Sequence, residues 1–245
     1  MMNEYTAEFV GTMLLVLLGN GVVANVVLKG TKGHNGGWIV IALGWGLAVF
    51  VGVAVAGPVS GAHINPAVTI GLAAAGLFEW GKVAGFILSQ MLGAATGAFL
   101  VWLTYKNHFN QTENPDGQLA CFSTSPAIRK FSSNLTSEII GTFVLMFVIF
   151  YLSGPSIDMP GVEDTKLGLG TLGALPVALL VTAIGLSLGG TTGYAINPAR
   201  DLGPRIMHWV LPMNHKGSSD WQYSWIPIAG PIIGTLIATG LFLYL

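Results

Sequence analysis

The chain has 245 residues, 52% of them hydrophobic and only 9% charged, with a formal net charge of −1. Average soluble domains carry roughly 25% charged residues. This composition, with a mean hydropathy of +0.67, therefore describes a polytopic membrane protein. The near-neutral balance removes the electrostatic case for nucleic acid or an acidic partner, and the single cysteine, Cys121, excludes an internal disulfide.

The N-terminus carries Glu4 and Glu8 in place of a basic region, and no small-residue cleavage pattern follows its first apolar run, Phe9–Leu28. No signal peptide is expected. Six segments are long enough to span: Tyr5–Leu28, Trp38–Gly57, Val83–Tyr105, Leu135–Gly154, Leu167–Leu188 and Tyr223–Leu245. After the second and the fifth stand two shorter runs, Ala67–Phe78 and Ala199–Val210, each well under the roughly 20 apolar residues that cross a bilayer. Both open on Asn-Pro-Ala, as Asn65-Pro66-Ala67 and Asn197-Pro198-Ala199. Proline suits the first helical position, where its missing N–H would be unpaired anyway. Each motif therefore predicts a re-entrant half-helix with the Asn at its N-terminus. Short interrupted segments in matching places of two halves point to a midplane site.

The halves match in letters as well. Ala7-Glu8-Phe9-Val10-Gly11-Thr12 corresponds to Ser137-Glu138-Ile139-Ile140-Gly141-Thr142, and Glu8 precedes Asn65 at nearly the spacing by which Glu138 precedes Asn197. Three spans per half is an odd number, so the second half must be inverted relative to the first. The expected fold is an all-α membrane protein: six transmembrane helices plus two re-entrant half-helices in an inverted three-plus-three repeat. It is one channel domain over residues 1–245, with repeats at about 5–105 and 135–245. The polar, turn-rich linker 106–134 between them is a connecting loop.

Gly-x-x-x-Gly at Gly93/Gly97, Gly230/Gly234, Gly81/Gly85 and Gly185/Gly189 predicts close helix packing. Trp80, Trp102, Trp209, Trp221 and Trp225 fall near segment ends, as interfacial anchors do. The loops on the side of the termini hold only Lys82 and Lys166. The other side holds Lys29, Lys32, Lys106, Arg129, Lys130, Arg205 and Lys216, before Arg200 is counted. Taken alone, that asymmetry places the termini outside. Two glycosylation-like triplets, at Asn110 and Asn134, are short enough to arise by chance.

The non-helical approaches to the turns are Gly61-Ala62-His63-Ile64 and Gly193-Tyr194-Ala195-Ile196. Extended backbone at membrane depth must be buried or line a wet path. Carbonyls of Gly61, Ala62, His63, Ile64, Gly193, Ala195 and Ile196 are expected to form a ladder of acceptors on one wall, facing an apolar wall from the spans. Asn65 and Asn197 are expected to offer amide donors at the midplane, although Asn also simply caps helices well. Glu8 and Glu138 are intramembrane carboxylates, costly unless partnered. They are assigned to holding the backbone N–H groups of the re-entrant loops, against a rival role in proton coupling; similar support is assigned to His63. Arg200 is a buried cation available to donate into the path. Asp201, beside it, is expected to hold loop backbone rather than to pair with it, since helix neighbours point in different directions.

Two Asn-Pro-Ala turns, the Ala-Glu-Phe-Val-Gly-Thr start and the inverted layout resemble the major intrinsic protein family, the aquaporins and glycerol facilitators. The resemblance covers roughly Tyr5 to Leu245, and Asp201 after Asn-Pro-Ala-Arg is similar to the glycerol-conducting branch. It implies a selectivity constriction at Trp45, Gly185, Tyr194 and Arg200, with Tyr194 standing where a glycerol facilitator usually has Phe. It further implies a passive channel for glycerol, water and small neutral solutes in the cell membrane, with cytoplasmic termini against the Lys/Arg count. It implies a homotetramer in the lipid bilayer, with no reaction catalysed and no cofactor or metal. The alternatives are a channel tuned to another neutral solute, such as an undissociated organic acid or dihydroxyacetone, a channel mainly for water, or, from another class, a coupled secondary transporter. No Gly-x-Ser-x-Gly or His-Glu-x-x-His motif supports a membrane enzyme.

Overall fold

The computed structural model describes residues 2–154, 156–159, 162–166 and 168–245. Among them are six helices long and apolar enough to cross a membrane. The elements run α1 (Glu4–Val27), α2 (Trp38–Ser60), the half-helix α3 (Pro66–Ala74), α4 (Trp80–Gln111), α5 (Pro115–Ala120) and α6 (Phe131–Tyr151). They continue with strands β1 (Ser156–Met159) and β2 (Val162–Lys166), a 3-10 turn (Gly170–Ala174), α7 (Leu175–Ser187), the half-helix α8 (Pro198–Val210) and α9 (Ile226–Tyr244). The family of six spans and two half-helices is the architecture expected. Leu167, the expected start of the fifth span, lies outside the described residues; that span begins with the 3-10 turn at Gly170.

Several local features differ from the sequence reading. The half-helix α3 stops at Ala74, four residues before Phe78. The antiparallel hairpin β1–β2 sits between α6 and α7, where no strand was expected. The third span does not end at Tyr105: α4 kinks there (φ −105°, ψ 15°) and continues to Gln111, taking the first residues of the linker into helix. The linker also contains α5, a short helix begun by Asn114, whose side chain caps Asp116 N, and by Pro115. Among the tryptophans, Trp80, Trp209, Trp221 and Trp225 are exposed. Trp102 is buried, with Lys106 Nζ 5.2 Å over its ring, so it packs rather than anchors.

Packing follows the repeat. Within the first half α1 packs on α2 and α4; within the second, α6 packs on α9 and α7. Between halves, α2 meets α7, while each half-helix lies on the last span of the other half, α3 on α9 and α8 on α4. Small residues permit the approach. A side chain at Gly97 would strike Met13 O, and one at Gly234 would strike Ile139 O. With lipid as apolar as any side chain, such close backbone contact supplies much of the attraction between spans. Of the other pairs, Gly85 faces the Tyr5 ring and Gly81 faces nothing.

Candidate pore

The two half-helices meet tip to tip. Asn65 caps α3, accepting from Ala67 N at 2.9 Å, and Asn197 caps α8, accepting from Ala199 N at 3.0 Å and Arg200 N at 3.2 Å. Each amide also reaches across: Asn65 Nδ2 donates to Ile196 O and Asn197 Nδ2 donates to Ile64 O, both at 2.8 Å. The Asn side chains thus cap their own helices and tie the two arms together. An amide nitrogen carries two hydrogens, so each Asn retains one N–H beyond its cross-link.

The approach to each Asn has an unusual backbone. In the first arm Gly61 (φ 82°), Ala62 (52°) and Ile64 (42°) are left-handed; in the second, Gly193 (80°), Tyr194 (39°) and Ile196 (43°) are. A β-branched residue there is a true outlier, and each non-glycine position costs about 1–2 kcal/mol. Mixing left- and right-handed residues turns successive N–H groups to one side, forming a concave anion site. A carboxylate occupies each. Glu8 accepts from His63 N at 2.9 Å and Ile64 N at 2.7 Å; Glu138 accepts from Ala195 N at 3.0 Å and Ile196 N at 2.9 Å. Hydrogen bonds to a charged group contribute about 1.5–3 kcal/mol each, so two of them offset two strained residues. A hydroxyl completes each site: Ser60 on Glu8 at 2.6 Å and Thr192 on Glu138 at 2.7 Å. Gln90 adds donors to Glu8 at 2.7 Å and Thr69 at 2.9 Å.

The N–H groups of both arms are thus committed to the carboxylates. Gly61–Asn65 and Tyr194–Asn197 line one cavity of about 220 Å³, opposite apolar side chains that include Val49, Val53, Leu145 and Val181. Two of the ladder oxygens, on Ile64 and Ile196, are already acceptors for the cross-linking amides. Gly193 does not line the cavity; it faces Thr124 instead. His63 lines it and also packs against Phe78 and Phe86, with Nδ1 3.1 Å from Thr69 Oγ1.

Three of the four constriction residues named from sequence share this cavity: Trp45, Tyr194 and Arg200. The Arg200 guanidinium stacks 4.1 Å from the Trp45 ring, a cation–π contact that partly offsets its burial. Arg200 Nη1 and Tyr194 Oη have no hydrogen-bond partner among the described residues. Gly185 stands behind. A Cβ there would lie 2.8 Å from both Tyr194 Cζ and Oη, and one at Gly189 would also strike the Tyr194 ring. These glycines form a slot for Tyr194 rather than a helix-packing motif, and the space left at Gly185 is filled by that ring. Trp38 closes the slot, edge-on to Tyr194 at 5.8 Å and donating to Gly185 O at 2.9 Å.

Asp201 does hold loop backbone. Its Oδ2 accepts from Thr124 N at 2.7 Å and Thr124 Oγ1 at 2.6 Å, and its Oδ1 accepts from Arg205 Nε at 2.9 Å. Arg205 is fully buried and donates also to Ser219 O and Thr124 O. Outside the six long apolar helices, Arg129 chelates Asp220, which raises the guanidinium pKa further. Burial pushes the Cys121 thiol pKa well above its usual range.

Sequence reasoning passed over Gln90, Thr124 and Trp38 as site residues and counted Arg205 only as a loop charge, whereas it lies buried in α8. Gln90 and Arg205 carried a signal: an amide inside an apolar span, and a cation four residues after Asp201 on the same helix face. Thr124 carried none.

Six spans with two half-helices abutting at the centre define a polytopic membrane protein of aquaporin architecture. The chain belongs to the major intrinsic protein family, whose sequence profile matches residues 1–244. It is 57% identical to a probable glycerol uptake facilitator protein of Thermotoga maritima, over 100% of both chains. It is 55% identical to a glycerol uptake facilitator protein of Streptococcus pneumoniae, over 99% of both. Among solved structures, the aquaglyceroporin from Plasmodium falciparum superimposes with a TM-score of 0.81 at 32% identity, covering 98% of this chain and 94% of that one.

Proposed function

We propose that this chain is a passive channel for glycerol, water and other small uncharged solutes, built as one domain, with Asn65, Asn197, Trp45, Tyr194 and Arg200 as its solute-facing polar and aromatic groups. The observation that carries the reading is the reciprocal Asn65–Ile196 and Asn197–Ile64 pair. It pins both amides in one orientation and leaves each a donor for a passing oxygen. Two helix N-termini add about half a positive elementary charge each, which opposes cations and interrupts a proton-conducting water chain. Carbonyls along one wall and hydrocarbon along the other suit a polyol, whose hydroxyls and CH edges lie on opposite sides. The relatives named glycerol uptake facilitators support the same solute. The major intrinsic proteins are passive channels and not enzymes, and this chain is one of them.

The chain is further proposed to sit in the cell membrane as a homotetramer with cytoplasmic termini. Of the cations that argue against this orientation, Arg200 and Arg205 are buried in protein, so the loop excess on that side is smaller than the sequence count.

Stopped-flow light scattering on proteoliposomes tests the function under separate sucrose and glycerol gradients. Glycerol influx well above that of empty vesicles is expected, ending at equilibrium; accumulation driven uphill by an ion gradient would instead establish a coupled transporter. The free Tyr194 hydroxyl favours one second reading, a pore tuned to another neutral solute such as dihydroxyacetone or an undissociated acid. Uptake compared at several pH values, in wild type and Tyr194→Phe, separates the two.

A further inference from the structure

The linker between the halves contains a residue that touches the neighbours of both Arg200 and Tyr194. Thr124 gives its backbone N–H and its hydroxyl to Asp201 Oδ2, at 2.7 and 2.6 Å, and its carbonyl accepts from Arg205 Nη2 at 2.9 Å. On its other side, Thr124 Cγ2 and Cβ lie 3.2 and 3.4 Å from where a Cβ on Gly193 would stand. Asp201 directly follows Arg200, and Gly193 directly precedes Tyr194. Thr124 does not itself line the cavity. Its side chain thus touches two residues that are each one peptide link from a cavity residue.

The linker around Thr124 is held firmly enough to act as a reference point. Asn20, fully buried in α1, donates to Phe122 O at 3.1 Å. Gln118 Nε2 lies 2.7 Å from both Thr112 O and Asn214 O and 3.0 Å from Phe109 O, its two hydrogens shared among the three carbonyls. The Phe122 ring packs on Phe109 and edge-on to His208 of α8. These ties join the linker to α1, to the end of α4 and to the segment after α8. The second arm needs such support more than the first, because its half-helix begins with a buried charged pair of residues, Arg200 and Asp201, where the first has Val68 and Thr69.

We propose that Thr124 is a positioning residue for the constriction: its hydroxyl fixes Asp201, and through it the spacing between Arg200 and Tyr194, and so sets the largest solute that passes. The proposal rests on the channel reading above. Thr124→Val keeps the shape, the Gly193 contact and the backbone bond, and removes only the hydroxyl donor. Thr124→Ser keeps the donor.

The test is the permeability of proteoliposomes to water, glycerol and erythritol, each normalised to reconstituted protein. Thr124→Val is expected to raise the erythritol-to-glycerol ratio about threefold, within the range by which residues that touch no ligand modulate a site, with water permeability unchanged. Thr124→Ser is expected to return the ratio to wild type. An unchanged ratio in Thr124→Val, or equal proportional losses of all three solutes, overturns the proposal and leaves Thr124 a purely structural residue. If Thr124→Val does not reach the membrane, Thr124→Cys, a weaker donor of similar size, is read the same way. A wild type that passes water but not glycerol sinks the glycerol reading alone; the Thr124 claim is then decided by whether Thr124→Val admits glycerol.

Discussion

The two re-entrant arms share a backbone and differ in what holds it. Both run from a hydroxyl (Ser60, Thr192) through left-handed residues to an Asn cap, and both dock on a glutamate from the first span of their half. Aligned on the Asn-Pro-Ala turns, Val68 stands where Arg200 does, Thr69 where Asp201 does, and Ala73 where Arg205 does. The first half-helix is thus uncharged and is steadied by neutral groups, His63, Gln90 and Thr69. The second is steadied by a buried ion pair that also grips the linker. Aligned on Gly93/Gly97 and Gly230/Gly234, Gln90 corresponds to Pro227, so the amide that braces Glu8 has no counterpart beside Glu138. The lesson is that a repeat conserves the geometry the backbone requires, while the side chains around it are free to make one mouth of the cavity cationic and the other neutral.

The difference between the arms can be broken most severely at Arg205. Arg205→Met strands the Asp201 carboxylate in the interior, and removing one partner of a buried ion pair costs about 3–5 kcal/mol. Thr69→Ala, in the first arm, leaves buried neutral partners at Gln90 and Asn65 short of one hydrogen bond and should cost less, about 1–3 kcal/mol. Melting midpoints of the detergent-solubilised protein, followed by size-exclusion fluorescence, should fall more for the first variant; equal shifts would show that the arms are held alike.

What the arms have in common is tested at the glutamates. Glu8→Gln and Glu138→Gln each put an amide NH2 against a backbone N–H, leaving a buried donor unpaired at about 1–3 kcal/mol. The two losses in melting stability should match within experimental error. A much smaller loss for Glu8→Gln would mean that Gln90 takes over its work.

Gly185→Ala should act on selectivity. Its methyl would press on the Tyr194 ring, 2.8 Å away at Cζ and Oη, a strain of about 1–3 kcal/mol in the folded state that is relieved by shifting the ring toward the lumen, so glycerol flux should fall. Water flux in the same vesicles should fall less, and a proportional fall in both would take Tyr194 out of the constriction. The smallest effect belongs to Arg129→Ala. Its pair with Asp220 is half exposed, and such pairs contribute at most about 1 kcal/mol; the melting midpoint should barely move and permeability should not change.

The sequence alone determined a great deal here. Bilayer thickness demands long apolar runs, so six spans and two short ones could be counted directly, and the doubled Asn-Pro-Ala located both caps. An unpartnered carboxylate is costly in lipid, which marked Glu8 and Glu138 as holding something. Tertiary structure decided what no local pattern encodes. It turned the two Asn amides onto each other's loops, because only the folded chain brings Ile64 and Ile196 within reach of them. It filled the space at Gly185 with the Tyr194 ring, since an absent side chain does not specify its occupant. It also made Thr124, an ordinary polar residue in a loop, a partner of Asp201 from far along the chain. Period and composition report the solvent each residue meets, whereas the identity of a neighbour distant in sequence is fixed only when the helices pack.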